Sequence, residues 1–360
     1  MTEGSPWESC AICGAPLLFV GNHRWMEGGV TVQALDPDHR MVLMEVDNLD
    51  LLFGKIEELL TLSVERIVIE TKRRATRDYI DRLTPPEVKE GVRRGEIPVE
   101  PLIHANNSIS VVMGYGRPIL EGYRLEYDDR DHLTQVVRNP YSVPLWCGDM
   151  TGAVEAVTSR DYDVEYQVLG KDEVRIRVFP SEHPPQFQGR LKTKKYPYRH
   201  VAYSLEECPG CGGPRELSWF SWDTEQGVIT DKRTKRRLCM VGPAYLEAVF
   251  DEMERELGEE IPWTVVEAQR QFVKQGGLYS PRDIGTKEEF RELLAVRGLG
   301  YLEEFEVKEK GLLLRLSNPA LHLLMVGLMQ GYYEVVTDTT SSAARWTLEG
   351  PVLEVVVEKG

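Results

Sequence analysis

The sequence predicts an α+β fold: a tandem duplication of an antiparallel-sheet/helix unit, each copy opening with a CxxC knuckle. Three observations predict it. Two CxxC pairs, Cys10/Cys13 and Cys208/Cys211, stand 198 residues apart in the similar settings Cys-Ala-Ile-Cys-Gly-Ala-Pro and Cys-Pro-Gly-Cys-Gly-Gly-Pro. Arg40–Arg74 aligns without gaps to Arg237–Gln271, keeping Leu49/Leu246, Phe53/Phe250, Glu57/Glu254, Val68/Val265, Glu70/Glu267 and Arg73/Arg270. Asn139–Val178 aligns without gaps to Asn318–Val357, with nine identities in the first twenty positions. Matches that keep the same order along the chain are the mark of a diverged repeat. The offset falls from 198 to 179, which places extra residues in the first copy around Thr84–Ile109. The expected boundaries are a first repeat at 1–180, a linker at 181–206 and a second repeat at 207–360.

Each element follows from its local pattern. After each knuckle, alternating segments around a turn predict hairpins, Gly29–Leu35 with Arg40–Val46 and Gly227–Thr230 with Arg237–Val241. Apolar residues at Leu49, Leu52, Phe53, Ile56, Leu59 and Leu60 have the 3–4 spacing of one buried helical stripe. Leu246, Val249, Phe250, Met253 and Leu257 repeat it, and further helical stretches cover about Val64–Leu83 and Val265–Gln275. Strands are expected at Ile119–Tyr127 with His132–Val137, and at Tyr301–Val307 with Gly311–Leu316. Asn139-Pro140 and Asn318-Pro319 predict helix starts, with Asn as N-cap and Pro at the first helical position. Gly148/Gly152 and Gly327/Gly331 then lie one turn apart on a helix. Glycine there costs about 1 kcal/mol against alanine, which implies another backbone packed very close. Closing strand pairs are expected at Val164–Val168 with Val174–Val178, and at Arg345–Leu348 with Leu353–Val357.

Composition bounds the function. The 360 residues are 42% hydrophobic and carry a net charge of −15, enough apolar content for packed cores. The acidic balance argues against nucleic acid as a general partner. Leu323–Met329 is far short of the ~20 apolar residues that span a bilayer, so no membrane span is expected. The opening Met-Thr-Glu-Gly-Ser-Pro-Trp-Glu-Ser has no secretory pattern, and a cytoplasmic location is the expectation.

In a reducing compartment, CxxC pairs are more often metal ligands or redox sites than disulfides. Zinc takes four soft ligands in a tetrahedron, and one knuckle supplies two. A structural Zn²⁺ held by Cys10, Cys13, Cys208 and Cys211 is the favoured reading. Separate sites completed by His23 or His200, a redox dithiol and an iron–sulfur centre are the alternatives.

Gly114-Tyr-Gly116 or Gly298-Leu-Gly300, two strands, a helix with spaced glycines ending in Gly-x-x-Glu, and a closing hairpin resemble the 4-vinyl-reductase domain. That family is also described as predicted hydrocarbon-binding proteins, related in fold to subunits of the vesicle-tethering TRAPP complex. The resemblance covers roughly Ser108–Val178 and Glu292–Val357. It implies a small-molecule binding or sensing module with an apolar pocket and no fixed catalytic set. This chain lacks the cysteines that many members carry in the final helix and hairpin, apart from Cys147, whose counterpart is Val326.

His322, Met325, Met329 and Tyr332 share one helical face, and Trp146 and Met150 sit in the matching helix of the first copy. Methionine is adaptable enough to line an apolar pocket; a plain core face explains the same stripe. No nucleophile elbow, P-loop, His-Glu-x-x-His or strand-linked Gly-x-Gly-x-x-Gly is present, so no catalytic residues are assigned. The expectation is a zinc-stabilised binding or sensing protein for a small apolar or aromatic molecule, with a protein partner as a second possibility. The alternatives are a redox or iron–sulfur accessory subunit of an enzyme complex, and a scaffold subunit.

Overall fold

The computed structural model describes residues 7–182, 191, 193–276 and 284–360. Its elements in chain order are α1 (Leu17–Gly21), β1 (His23–Met26), β2 (Val30–Gln33), β3 (Arg40–Glu45), α2 (Val46–Leu60), α3 (Glu65–Leu83), α4 (Pro86–Arg93) and α5 (Glu100–Val112). There follow β4 (Arg117–Arg124), β5 (His132–Arg138), α6 (Val143–Thr158), β6 (Tyr162–Gly170), β7 (Glu173–Pro180), β8 (Phe220–Asp223), β9 (Val228–Asp231) and β10 (Arg237–Val241). The last are α7 (Pro243–Leu257), α8 (Ile261–Lys274), α9 (Lys287–Val296), β11 (Tyr301–Lys308), β12 (Gly311–Ser317), α10 (His322–Thr337), β13 (Ser342–Glu349) and β14 (Val352–Lys359). Every described strand pair is antiparallel, so the protein is a mixed helix and antiparallel-sheet fold. No helix among the described residues is long and apolar enough to cross a membrane. Of the expected linker, residues 183–190 and 192 lie outside the described residues, as do residues 1–6.

Contacts divide the chain into two compact units. The first comprises Met1–Ser63, Lys194–Trp222 and Ile229–Gly360. Its centre is a six-stranded sheet ordered β1-β2-β3-β10-β9-β8. β3 and β10 pair with Leu43 opposite Met240, flanked by Val42 opposite Val241 and Met44 opposite Cys239. All six residues of β3 are buried, as expected of a central strand covered on both faces. The stripe that shaped the prediction of α2 is buried at Leu49, Leu52, Phe53 and Ile56, and α7 buries Leu246, Val249, Phe250 and Met253. Fully burying such a side chain contributes about 1.5–3 kcal/mol.

The same unit holds a four-stranded sheet ordered β11-β12-β14-β13. Against it lies α10, crossed closely by α8. A Cβ on Gly327 would sit 2.7 Å from Gln269 Cβ, and one on Gly331 would sit 2.8 Å from the Arg270 carbonyl. Neither distance is tolerable, which is why this face carries glycine. Beside the crossing, Arg270 bonds both Glu267, at 2.7 Å, and the buried Glu334, at 3.0 Å.

The second unit comprises Val64–Thr193 and Asp223–Val228. Its sheet has the order β4-β5-β7-β6, the same pattern as the first unit's four-stranded sheet. Here α6 crosses α3, and a Cβ on Gly148 would lie 2.6 Å from Lys72 Cβ. Arg73 grips the fully buried Glu155 with Nη1 at 2.9 and 2.8 Å from its two oxygens, and also bonds Glu70 at 2.8 Å. The extra residues expected around Thr84–Ile109 form α4 and most of α5.

One local expectation is corrected. Asn139 and Asn318 do not cap the long helices, which begin at Val143 and His322 after Ser142 and Leu321. Both asparagines adopt left-handed backbone, φ +50° and +53°, and donate their N–H groups to Asp172 and Pro351 carbonyls at 2.7 Å. Asparagine tolerates that region as readily as it caps a helix.

Candidate metal centre

The two CxxC segments fold into the same tight turn. Gly14 N–H donates to the Cys10 carbonyl at 2.9 Å, and Cys10 N–H to the Ala15 carbonyl at 2.9 Å. Gly212 N–H donates to the Cys208 carbonyl at 2.9 Å, and Cys208 N–H to the Gly213 carbonyl at 2.6 Å. Gly14 and Gly212 turn the chain at φ +80° and +73°, a region that glycine enters without a Cβ penalty. Pro16 and Pro214 close the turns by bridging back to Ser9 and Glu207.

The turns bring their sulfurs together. Cys10 Sγ lies 3.8 Å from Cys208 Sγ, and Cys13 Sγ lies 3.6 Å from Cys211 Sγ. All four ligand atoms fall within 4.8 Å of one another; Cys10, Cys13 and Cys208 are buried and Cys211 is half-buried. Four sulfurs placed tetrahedrally around one ion at a ~2.3 Å Zn–S distance are separated by about 3.8 Å. The four cysteines therefore form a group that can hold a metal ion.

The backbone prepares the donors. Amide N–H groups of Cys13 and Ile12 point at the Cys10 sulfur and bring its thiol down to about 6. Burial pushes Cys13 up to about 12 and also raises Cys211. A thiolate is the form that binds metal, and a cation among four crowded sulfurs favours that form at each of them. Gly210 completes the cradle, since a Cβ there would stand 2.8 Å from Cys10 Sγ. Gly210 had a sequence signal, as the glycine inside Cys-Pro-Gly-Cys, but its role depends on the opposite turn.

The proposed histidine alternatives lie elsewhere. His23 is buried with Nδ1 2.7 Å from the Phe19 carbonyl, and His200 is exposed with Nδ1 2.9 Å from Glu27. Neither belongs to the cysteine group. Cys147 is fully buried in α6, and burial raises its thiol strongly, which removes nucleophilic character.

The residues expected to line an apolar pocket are mostly packed. In the first unit Met325, Met329 and Tyr332 are buried, with the Tyr332 ring 5.9 Å from Phe305. His322 opens α10 and stands with Nδ1 3.6 Å from Glu247 Oε1. In the second unit Trp146 and Met150 are buried, and Trp146 donates its indole N–H to the Tyr115 carbonyl at 2.6 Å.

Neither protein-family models nor curated protein sequences match this chain.

Proposed function

We propose that this chain is a diverged tandem duplication whose copies are joined by one structural zinc at Cys10, Cys13, Cys208 and Cys211. On this reading it binds or senses a small apolar or aromatic molecule and carries out no catalysis itself. The observation that carries the zinc is the sulfur geometry: 3.8 and 3.6 Å against the ~3.8 Å edge of a tetrahedral tetrathiolate. Four protein ligands leave no open position for substrate, which makes the role structural. The duplication is supported by the common strand order of the two four-stranded sheets, the common glycine crossing and the common Arg–Glu network. Ligand binding is supported by the resemblance to the 4-vinyl-reductase domain, with methionines on the long helices.

The same four-sulfur set accepts a single iron, and that is the second reading, within a redox subunit. Sulfurs this close suit one ion better than a multi-iron cluster, whose thiolates stand further apart. Mass spectra of the intact protein, native and denatured, test the ligand half. An organic adduct lost on denaturation supports it, and a native mass explained by chain and metal alone, from cells and after incubation with aromatic hydrocarbons, counts against it. A brown colour bleached by reductant would favour iron.

A further inference from the structure

The four sulfurs of the cysteine group are not equally accessible. Cys10, Cys13 and Cys208 are 6%, 4% and 1% exposed, while Cys211 is half-buried. Cys10 lies against the opposite turn: a Cβ on Gly210 would stand 2.8 Å from Cys10 Sγ and 3.2 Å from Ile12 Cδ1. The other end of the group is bare. Gly14 and Gly212, which follow Cys13 and Cys211, have no heavy atom beyond their chain neighbours within 4 Å of where a Cβ would stand.

A small oxidant therefore meets this group at Cys211. Facing it from the opposite CxxC turn is Cys13 Sγ, 3.6 Å away. Closing that gap to the ~2.05 Å of a disulfide takes a small side-chain movement. The two cysteines outside the group, Cys147 and Cys239, are both fully buried.

We infer that Cys211 is a thiol-oxidation site, at which hydrogen peroxide joins Cys211 to Cys13 and the metal is released. The Cys211 thiolate attacks a peroxide oxygen, forming an S–O bond as the O–O bond breaks and hydroxide leaves. The Cys13 thiolate then attacks the Cys211 sulfur, forming the S–S bond as the S–O bond breaks and a second hydroxide leaves. The two sulfurs give up two electrons, the peroxide takes them, and two protons from solvent turn the hydroxides into water. Cys10 and Cys208 are then the only donors left, half of a four-ligand zinc site. The new bond ties one CxxC turn to the other, so the two stay joined while the metal is lost. The release rests on the shared zinc proposed above; the disulfide does not.

The test uses the full-length chain, purified with reductant that is then removed without air. Zinc is counted before and after a small molar excess of hydrogen peroxide, and disulfides are mapped by mass spectrometry after blocking free thiols with N-ethylmaleimide. The expected result is one zinc released per chain in step with one Cys13–Cys211 disulfide, both reversed by dithiothreitol and added zinc. Cys147 and Cys239 should be blocked only after denaturation. A first disulfide within either CxxC turn or between Cys10 and Cys208 would overturn the site. So would oxidation of Cys147 or Cys239 ahead of Cys211, no disulfide at all, or zinc retained after the bond forms. A chain that carries no zinc before peroxide contradicts the shared-zinc reading instead, and the disulfide map then decides this site alone.

Discussion

Leu43 pairs with Met240 at the centre of the six-stranded sheet, and the two are 197 residues apart, the offset at which Arg40–Arg74 aligns to Arg237–Gln271. The flanking pairs exchange counterparts, as a two-fold requires: Met44 meets Cys239, which aligns with Val42, and Val42 meets Val241, which aligns with Met44. Cys10 and Cys208, whose sulfurs lie 3.8 Å apart, are offset by 198. Each segment thus meets its own counterpart, as the same patch does across the two-fold axis of a symmetric dimer. In the reading proposed above, duplication has put both partners of such a contact into one chain, and the zinc sits where their knuckles meet.

If one ion is shared, the two cysteine pairs form a single energetic unit. Cys10→Ser and Cys208→Ser each lose the metal and unfold the knuckle region, and the double substitution costs little more than either alone. Two separate sites would give additive losses. Chemical denaturation of the three variants distinguishes these outcomes.

The glycine crossings predict opposite signs at different glycines. Gly331→Ala drives a methyl into the Arg270 carbonyl and Val273, and Gly148→Ala drives one into Lys72 and the Ile69 carbonyl. Each destabilises by about 1–3 kcal/mol. Gly54, exposed within α2 and with nothing near its missing Cβ, gains about 0.5–1 kcal/mol as alanine. Thermal melts of the three variants check the ordering.

Glu155 is fully buried and bonded to Arg73, which is itself 5% exposed on its side chain. Removing the carboxylate takes from Arg73 one of its two acidic partners, Glu70 remaining at 2.8 Å, and strips the buried Tyr162 N–H of its acceptor, so Glu155→Leu costs about 1–3 kcal/mol. The pair Glu155→Leu with Arg73→Met recovers much of that loss. Equal stability of single and double variants in urea would contradict it.

His23 makes stability depend on pH in a defined window. Burial lowers its pKa to about 4, against an unfolded value of ~6.5. Above ~6.5 both states are neutral and the residue contributes no pH dependence. As pH falls below that, the unfolded chain takes up a proton that the folded chain refuses, and stability drops by about 1.4 kcal/mol per pH unit until about pH 4. His23→Phe removes this slope; Phe220, 197 residues on, is a buried aromatic already in the corresponding strand. Denaturation midpoints of the two proteins at several pH values should diverge between pH 7 and 5. Parallel curves would contradict the effect.

Much of this fold was legible in the sequence because its signals are local. The stripe from Leu49 to Ile56, the closing hairpins and the glycine pairs each follow from spacing within one element. Asn139 and Asn318 misled because asparagine suits two neighbouring conformations, and only the carbonyls of Asp172 and Pro351 decide between them. β1 and β8 escaped notice, whereas β2 and β9, equally short, were marked by the turns that follow them. The meeting of Leu43 with Met240 is non-local and has no signature in either strand. For the site, the repeated Cys-x-x-Cys-Gly-x-Pro named all four sulfurs, and their convergence depended on the sheet between them.

The most direct measurement is the mass of the intact chain under native conditions, after purification without chelator. One zinc per chain, lost together on substitution of either Cys10 or Cys208 by serine, is the predicted result. Metal-free folded protein, two zinc ions per chain, or a zinc retained after Cys208→Ser would contradict a shared four-cysteine site.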